Sequence, residues 1–195
     1  SGSISLGQNT TINSTSGTLT LTQTVTGSNV SLITTGAGSM TISGTLTLGT
    51  GSITTSMGFF SLYSNGNYSG VTSVASGILQ IRNSGSLGSG AVTVGQGGSL
   101  QLQGGIAIPN ALTLRGTGPL GTGALQSVTG INAVGGNISL TGDTSINSDL
   151  TSQLTLNSSI FAGAMALTVG GAGDLILNGS LNGSGSTAYT WGTSP

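Results

Sequence analysis

Five side chains carry charge: Arg82, Arg115, Asp143, Asp149 and Asp174. There is no Lys, Glu, His or Cys. Glycoside hydrolysis needs two carboxylates, one of them tuned as an acid. Asp143 follows Gly142 and Asp149 follows Ser148, both turn-like contexts. Asp174 follows Gly173, in the slot that Ser99 and Ser39 fill elsewhere, and reads as an outward residue at a strand start. On the repeat spacing derived below, Asp143 and Asp174 fall out of step and would not stack. Arg82 and Arg115 are equally dispersed, with no Asp near either in sequence. The residues therefore read as turn and surface positions, and no enzyme activity is expected.

Other chemistries fall on composition. Without His or Cys there is no Ser-His-Asp or Cys-His nucleophile system and no zinc, haem or iron–sulfur ligand set of the usual kind. Calcium-binding β-rolls need several carboxylates per turn, which three scattered Asp residues do not supply. Two Arg cannot neutralise a nucleic-acid backbone, so no nucleic-acid partner is expected. No catalytic, cofactor-binding or metal-binding residue is assigned, and no cofactor.

Three softer signals remain. Thr18, Thr20 and Thr22 alternate with Leu19 and Leu21, so Thr points outward if Leu points in, and Thr41, Thr47, Thr93, Thr113, Thr155 and Thr168 take the same slot in other pairs. A ladder of such Thr is a surface for ice or a crystalline polysaccharide, but the slot is also Ser5, Gln80, Gln101, Ala107, Ser139 or Ile176. Aromatics are few, and Phe59, Phe60 and Tyr63 cluster as a core stack or a coil irregularity. Eight Asn-x-Ser/Thr triplets begin at Asn9, Asn13, Asn29, Asn67, Asn137, Asn157, Asn178 and Asn182, in a chain where Ser and Thr make several expected by chance.

The elements that would position these residues are written in the periodicity. Of 195 residues, 37 are Gly, 31 Ser, 30 Thr and 13 Asn, yet 49 are Leu, Ile, Val or Phe, enough to argue against disorder. These aliphatics recur two apart: Ile4/Leu6, Leu19/Leu21, Met40/Ile42, Leu79/Ile81, Leu100/Leu102, Leu154/Leu156 and others. Period two means short strands with one buried face. Gly precedes ten of thirteen such pairs by two positions, as a corner where positive φ is free. A longer spacing of roughly 21 residues, within the range of solenoid repeats, separates Leu19 from Met40, Leu79 from Leu100, Ile146 from Leu167 and Leu154 from Leu175. The step from Val92 to Leu112 is one shorter. Asn-Gly hairpin signals occur only three times, too few for a meander. The spacing fits an all-β, right-handed parallel β-helix (β-solenoid) of about nine coils of roughly 20–21 residues. At about 4.8 Å per stacked strand the rod is on the order of 40 Å long.

Residues 67–195 resemble the autotransporter-associated β-strand repeat of secreted or surface-displayed bacterial proteins, with Leu112-Thr-Leu114, Gly123-Ala-Leu125, Ile138-Ser-Leu-Thr-Gly142 and Leu167-Thr-Val-Gly-Gly-Ala-Gly173 similar to the segment between successive copies. The resemblance rests on Tyr68-Ser-Gly-Val-Thr72, Gly77-Ile-Leu-Gln-Ile81, Gly85-Ser-Leu-Gly-Ser-Gly90, Ala91-Val-Thr-Val94 and Gly98-Ser-Leu-Gln-Leu102. Residues 1–66 are similar to haemagglutinin-type passenger β-helix, with Gly36-Ala-Gly38 before Met40 echoing Gly171-Ala-Gly173 before Leu175. Tyr68 has a weaker echo in Tyr189, and residues 189–195 would either cover the last coil or begin another repeat. The resemblance implies one solenoid module over 1–195, in two parts at 1–66 and 67–195, and supplies no catalytic residue.

The expected role is structural or adhesive: a stalk or self-associating fibre segment, extracellular or at the cell surface. Near-zero net charge and open coil ends favour end-to-end or lateral homopolymers, with surface glycans as further partners. The alternative is a carbohydrate- or ice-binding module using an outward Thr-rich face. No apolar run is long enough for a membrane helix, so no membrane insertion is expected of this segment. No charged n-region with an apolar block opens the chain, and it reads as a processed piece.

Overall fold

The computed structural model describes residues 2–184 and the backbone of residues 189–192. It is an all-β parallel solenoid of about nine coils. Coil 1 is β1 (Ile4–Leu6), β2 (Thr10–Asn13) and β3 (Thr18–Leu21). Coil 2 is β4 (Val25–Gly27) and β5 (Leu32–Ile42). Coil 3 is β6 (Leu46–Gly49) and β7 (Ile53–Leu62), and coil 4 is β8 (Gly66–Tyr68) and β9 (Thr72–Ile81). In coil 5 a turn over residues 84–89 replaces the first strand and leads into β10 (Val92–Gln103). Coil 6 is β11 (Ala107–Ile108), β12 (Leu112–Gly116) and the first half of β13 (Leu125–Val134). Coil 7 is the rest of β13 and β14 (Ile138–Ser148). Coil 8 is β15 (Ser152–Leu156), β16 (Ile160–Gly163) and β17 (Leu167–Gly170). Coil 9 is β18 (Asp174–Leu177), β19 (Leu181–Gly183) and β20 (Tyr189–Gly192).

Each coil visits three faces, A, B and C, in that order. β5, β7, β9, β10 and β14 run through the B–C corner as one bent strand, so the short strands expected from two-residue spacing are joined into strands of up to 12 residues. The pairing is parallel throughout the described strands. Register runs Leu32–Ile53–Thr72–Val92–Leu112–Ile138–Ile160–Leu181 on face B. On face C it runs Leu19–Met40–Phe60–Leu79–Leu100–Leu125–Ile146–Val169.

These columns are the core. Leu32, Met40, Phe60, Leu79, Leu100 and Leu125 are all fully buried. Each such side chain contributes about 1.5–3 kcal/mol on leaving water. Burial falls off at both ends, where Ile4, Ile12, Leu19 and Leu21 at the base and Leu175 and Leu181 at the top are only partly covered.

The periodicity misplaces some details. Ile146 pairs with Val169, and Leu167 pairs with Thr144, because a turn closed by Met165 N–H to the Ala162 carbonyl lengthens coil 8. Coil 6 is also long. Leu100 pairs with Leu125, beyond the ordinary period, since residues 117–123 form a loop with a short 3₁₀ turn at Pro119–Gly121. Thr does not always face out, for Thr34, Thr55 and Thr72 are fully buried in the inward columns of face B. The echoing Gly36-Ala-Gly38 and Gly171-Ala-Gly173 sit at different corners, B–C in coil 2 and C–A before coil 9. Tyr68 and Tyr189 likewise lie on different faces, and β20 pairs with β17 as one more strand of the stack. Residues 193–195 lie outside the described residues.

The glycines before strands have a different reason than expected at most positions. Gly17, Gly77 and Gly104 have positive φ, but Gly44, Gly90, Gly98, Gly136 and Gly173 do not. A Cβ on Gly90 would stand 2.0 Å from the Gly70 carbonyl oxygen, and one on Gly136 would stand 2.1 Å from that of Asn110. The neighbouring coil's backbone occupies the space, so a side chain is excluded sterically.

Candidate functional site

The charged residues are organised across coils in a way their sequence spacing hides. Gln80, Gln101 and Gln126 occupy one outward column of face C, between Leu79 and Ile81, Leu100 and Leu102, and Leu125 and Ser127. Each is nonetheless buried. Arg82 Nε donates to Gln80 Oε1 at 3.1 Å. Gln80 Nε2 donates to Gln101 Oε1 at 3.1 Å, and Gln101 Nε2 to Gln126 Oε1 at 2.7 Å. Gln126 Nε2 then donates to both Asp149 carboxylate oxygens, at 2.8 and 2.9 Å. Arg can only donate and a carboxylate can only accept. The two ends therefore set the direction of all three amides between them. Amide ladders of this kind stabilise stacked parallel strands. Arg82 also lies over the Tyr63 ring, 4.7 Å from its centroid.

The other charges stand elsewhere. Asp143, on the B–C corner of coil 7, accepts the Ala166 N–H at 2.9 Å. The Arg115 side chain lies across Gly142, leaving no room for a Cβ there. Asp174 is exposed on face A of coil 9, beside a shallow depression of about 340 Å³ lined with Ile131 and Gln153. Asp143 stands apart at the B–C corner, whereas Asp149 and Asp174 both flank the C–A turn, where a Cβ on Gly173 would stand 2.0 Å from the Asp149 carbonyl oxygen. Among the described residues no group of three or more His, Cys, Asp or Glu is gathered for a metal, and no helix is long and apolar enough to cross a membrane.

The interior carries polar groups at its corners. Tyr68 fills the space that Gly66 leaves in the inward column of face A, and its hydroxyl lies 2.8 Å from Thr72 Oγ1. Burial pushes the Tyr68 phenol up from 10.0 to about 12, against the smaller opposing effect of the Thr72 hydrogen bond. Asn132 Oδ1 accepts the Gly105 and Ile106 N–H groups, while its Nδ2 donates to Ser127 Oγ and the Thr129 carbonyl. These side chains complete backbone hydrogen bonds that the turning chain leaves open.

The outward Thr residues are split among faces. Thr20, Thr41 and Thr168 are on face C, Thr47 and Thr155 on face A, and Thr93 and Thr113 on face B. Of the aromatic cluster, Phe60 is core, Phe59 is half-buried and Tyr63 is exposed. The Gln ladder was missed by sequence reasoning, although Leu-Gln followed by a core residue recurs at 79–81, 100–102 and 125–127 and was its available signal.

No family model, curated protein or solved structure matches the chain.

Proposed function

We propose that the chain is a structural rod, a stalk or self-associating fibre segment with an adhesive role, from a secreted or surface-displayed bacterial protein of the autotransporter-associated repeat kind. The observation that carries this reading is the incomplete burial of the aliphatic columns at both ends of the stack. Ile4, Leu19 and Leu21 at the base, and Leu175 at the top, are partly exposed, and Leu177 is 37 % exposed, whereas their counterparts in the middle coils are buried. A further coil, from the same polypeptide or from a second copy, would cover them by the same parallel pairing. A net charge of −1 offers little electrostatic opposition to such contact.

Electron microscopy and light scattering on the 195-residue chain test this. The expected result is filaments one coil wide that grow with concentration. A stable monomer at high concentration would count against self-association.

A further inference from the structure

We propose that face B is a binding strip for neutral polysaccharide. Thr54, Ser73, Thr93, Thr113 and Ser139 are consecutive register partners and form one outward column over coils 3 to 7. Their inward neighbours, such as Val92 and Val94 beside Thr93, are buried, so the hydroxyls face solvent. Among the described residues these five hydroxyls have no intramolecular hydrogen-bond partner. Stacked strands set them about 4.8 Å apart. The next residue in the column is Phe161, paired with Ser139 and 46 % exposed between buried Ile160 and Ala162.

This arrangement joins the two things a sugar chain needs. An exposed ring accepts the apolar C–H face of a pyranose, and a row of unsatisfied hydroxyls can donate to and accept from ring substituents. The flanking residues in coils 4 and 5 are Val71, Ala75, Ala91 and Gly95, so nothing bulky rises beside the row. Arg115 of coil 6, folded over Gly142, and Asp143 of coil 7 border the row at the B–C corner with one charge of each sign. The row itself carries no charge, which matches a neutral chain better than an acidic one. This proposal is independent of self-association, since face B runs along the rod and not across its ends.

Co-sedimentation of the 195-residue chain with microcrystalline cellulose and with chitin, beside affinity electrophoresis in alginate, tests it. Phe161→Ala and the double variant Thr93→Lys/Ser139→Lys change outward residues, and Thr20→Lys on face C is the control; thermal midpoints verify folding. The expected result is retention on a neutral glycan that falls at least tenfold in both face B variants and not in Thr20→Lys. Absence of retention on both neutral glycans, binding to alginate alone, or full retention by both folded face B variants would overturn the proposal.

Discussion

Gln80 of coil 4 donates from Nε2 to Oε1 of Gln101 on coil 5, 3.1 Å away, and does so from a column that points outward yet is buried. The bond is one link in a chain whose ends are a cation and an anion, Arg82 and Asp149. Three neutral amides are therefore aligned head to tail across coils 4 to 6, ending on the carboxylate of coil 7, and the unequal sequence steps from Gln80 to Gln101 and from Gln101 to Gln126 are locked into one register.

Gln101→Leu tests the central link. The substitution keeps the volume but leaves Gln80 Nε2 and Gln126 Oε1 without partners. A buried polar group left unsatisfied costs about 1–3 kcal/mol, so the variant is expected to lose roughly 2–4 kcal/mol. Urea denaturation measures it. A loss smaller than about 0.5 kcal/mol, the lower end of what one ordinary hydrogen bond contributes, would mean that the ladder contributes nothing net.

Adjacent glycines should behave oppositely. Gly97 and Gly98 both have ordinary φ. A Cβ on Gly97 meets only the Ser76 Cβ, at 3.7 Å, while one on Gly98 would lie 2.5 Å from the Val74 carbonyl oxygen. Gly97→Ala is expected to be neutral or slightly stabilising, by up to about 1 kcal/mol through the unfolded chain. Gly98→Ala should lower the thermal midpoint by several degrees, because rigid backbone must move. Equal midpoints for the two variants would refute the close-approach account of these corners.

This pair also marks how far the sequence could be read. Columns such as Leu79–Leu100 were legible because strand side chains alternate strictly and parallel stacking repeats the pattern in every coil. The parallel architecture and the number of coils follow from that alternation together with the spacing of roughly 21 residues and the scarcity of hairpin signals. The reason for Gly98 was not legible, since it depends on the Val74 carbonyl in the preceding coil. Thr72 lies inside because Tyr68 offers it a hydroxyl, a partnership invisible to a rule that sends Thr outward. The Gln ladder was hidden similarly: Gln80 and Gln101 read as interruptions in a row of Thr until Arg82 and Asp149 are seen at the ends. In coil 6 the spacing fails because residues 117–123 add length without adding a strand.

That added loop supplies a third prediction. Leu120 is 103 % exposed and has φ 55, a left-handed conformation costly for a residue with a Cβ. Leu120→Asn should raise stability by several tenths of a kcal/mol, since Asn tolerates this region better. Leu125, in the strand that follows, is fully buried, and Leu125→Ala should cost about 2–5 kcal/mol. Comparing the two variants by chemical denaturation checks the assignment. A loss of more than about 1 kcal/mol in Leu120→Asn, the size of a typical destabilising substitution, would contradict it.

Tyr68 makes the fold sensitive to alkali. Its phenol is held neutral by burial up to about 12, while an unfolded tyrosine ionises near 10.0. The unfolded chain therefore releases the proton first, and stability falls as pH rises between these values. Below pH 10 the contribution is fully present; by pH 12 about 2–3 kcal/mol has been lost. Tyr68→Phe removes the titrating group, so its denaturation midpoint should change less than the parent's between pH 9 and 11.5. Phe cannot reach Thr72 Oγ1, so the variant starts less stable at pH 8, and the two curves converge as pH rises. Parallel curves over the whole range would show that the Tyr68 hydroxyl is not the group whose ionisation opens the coil.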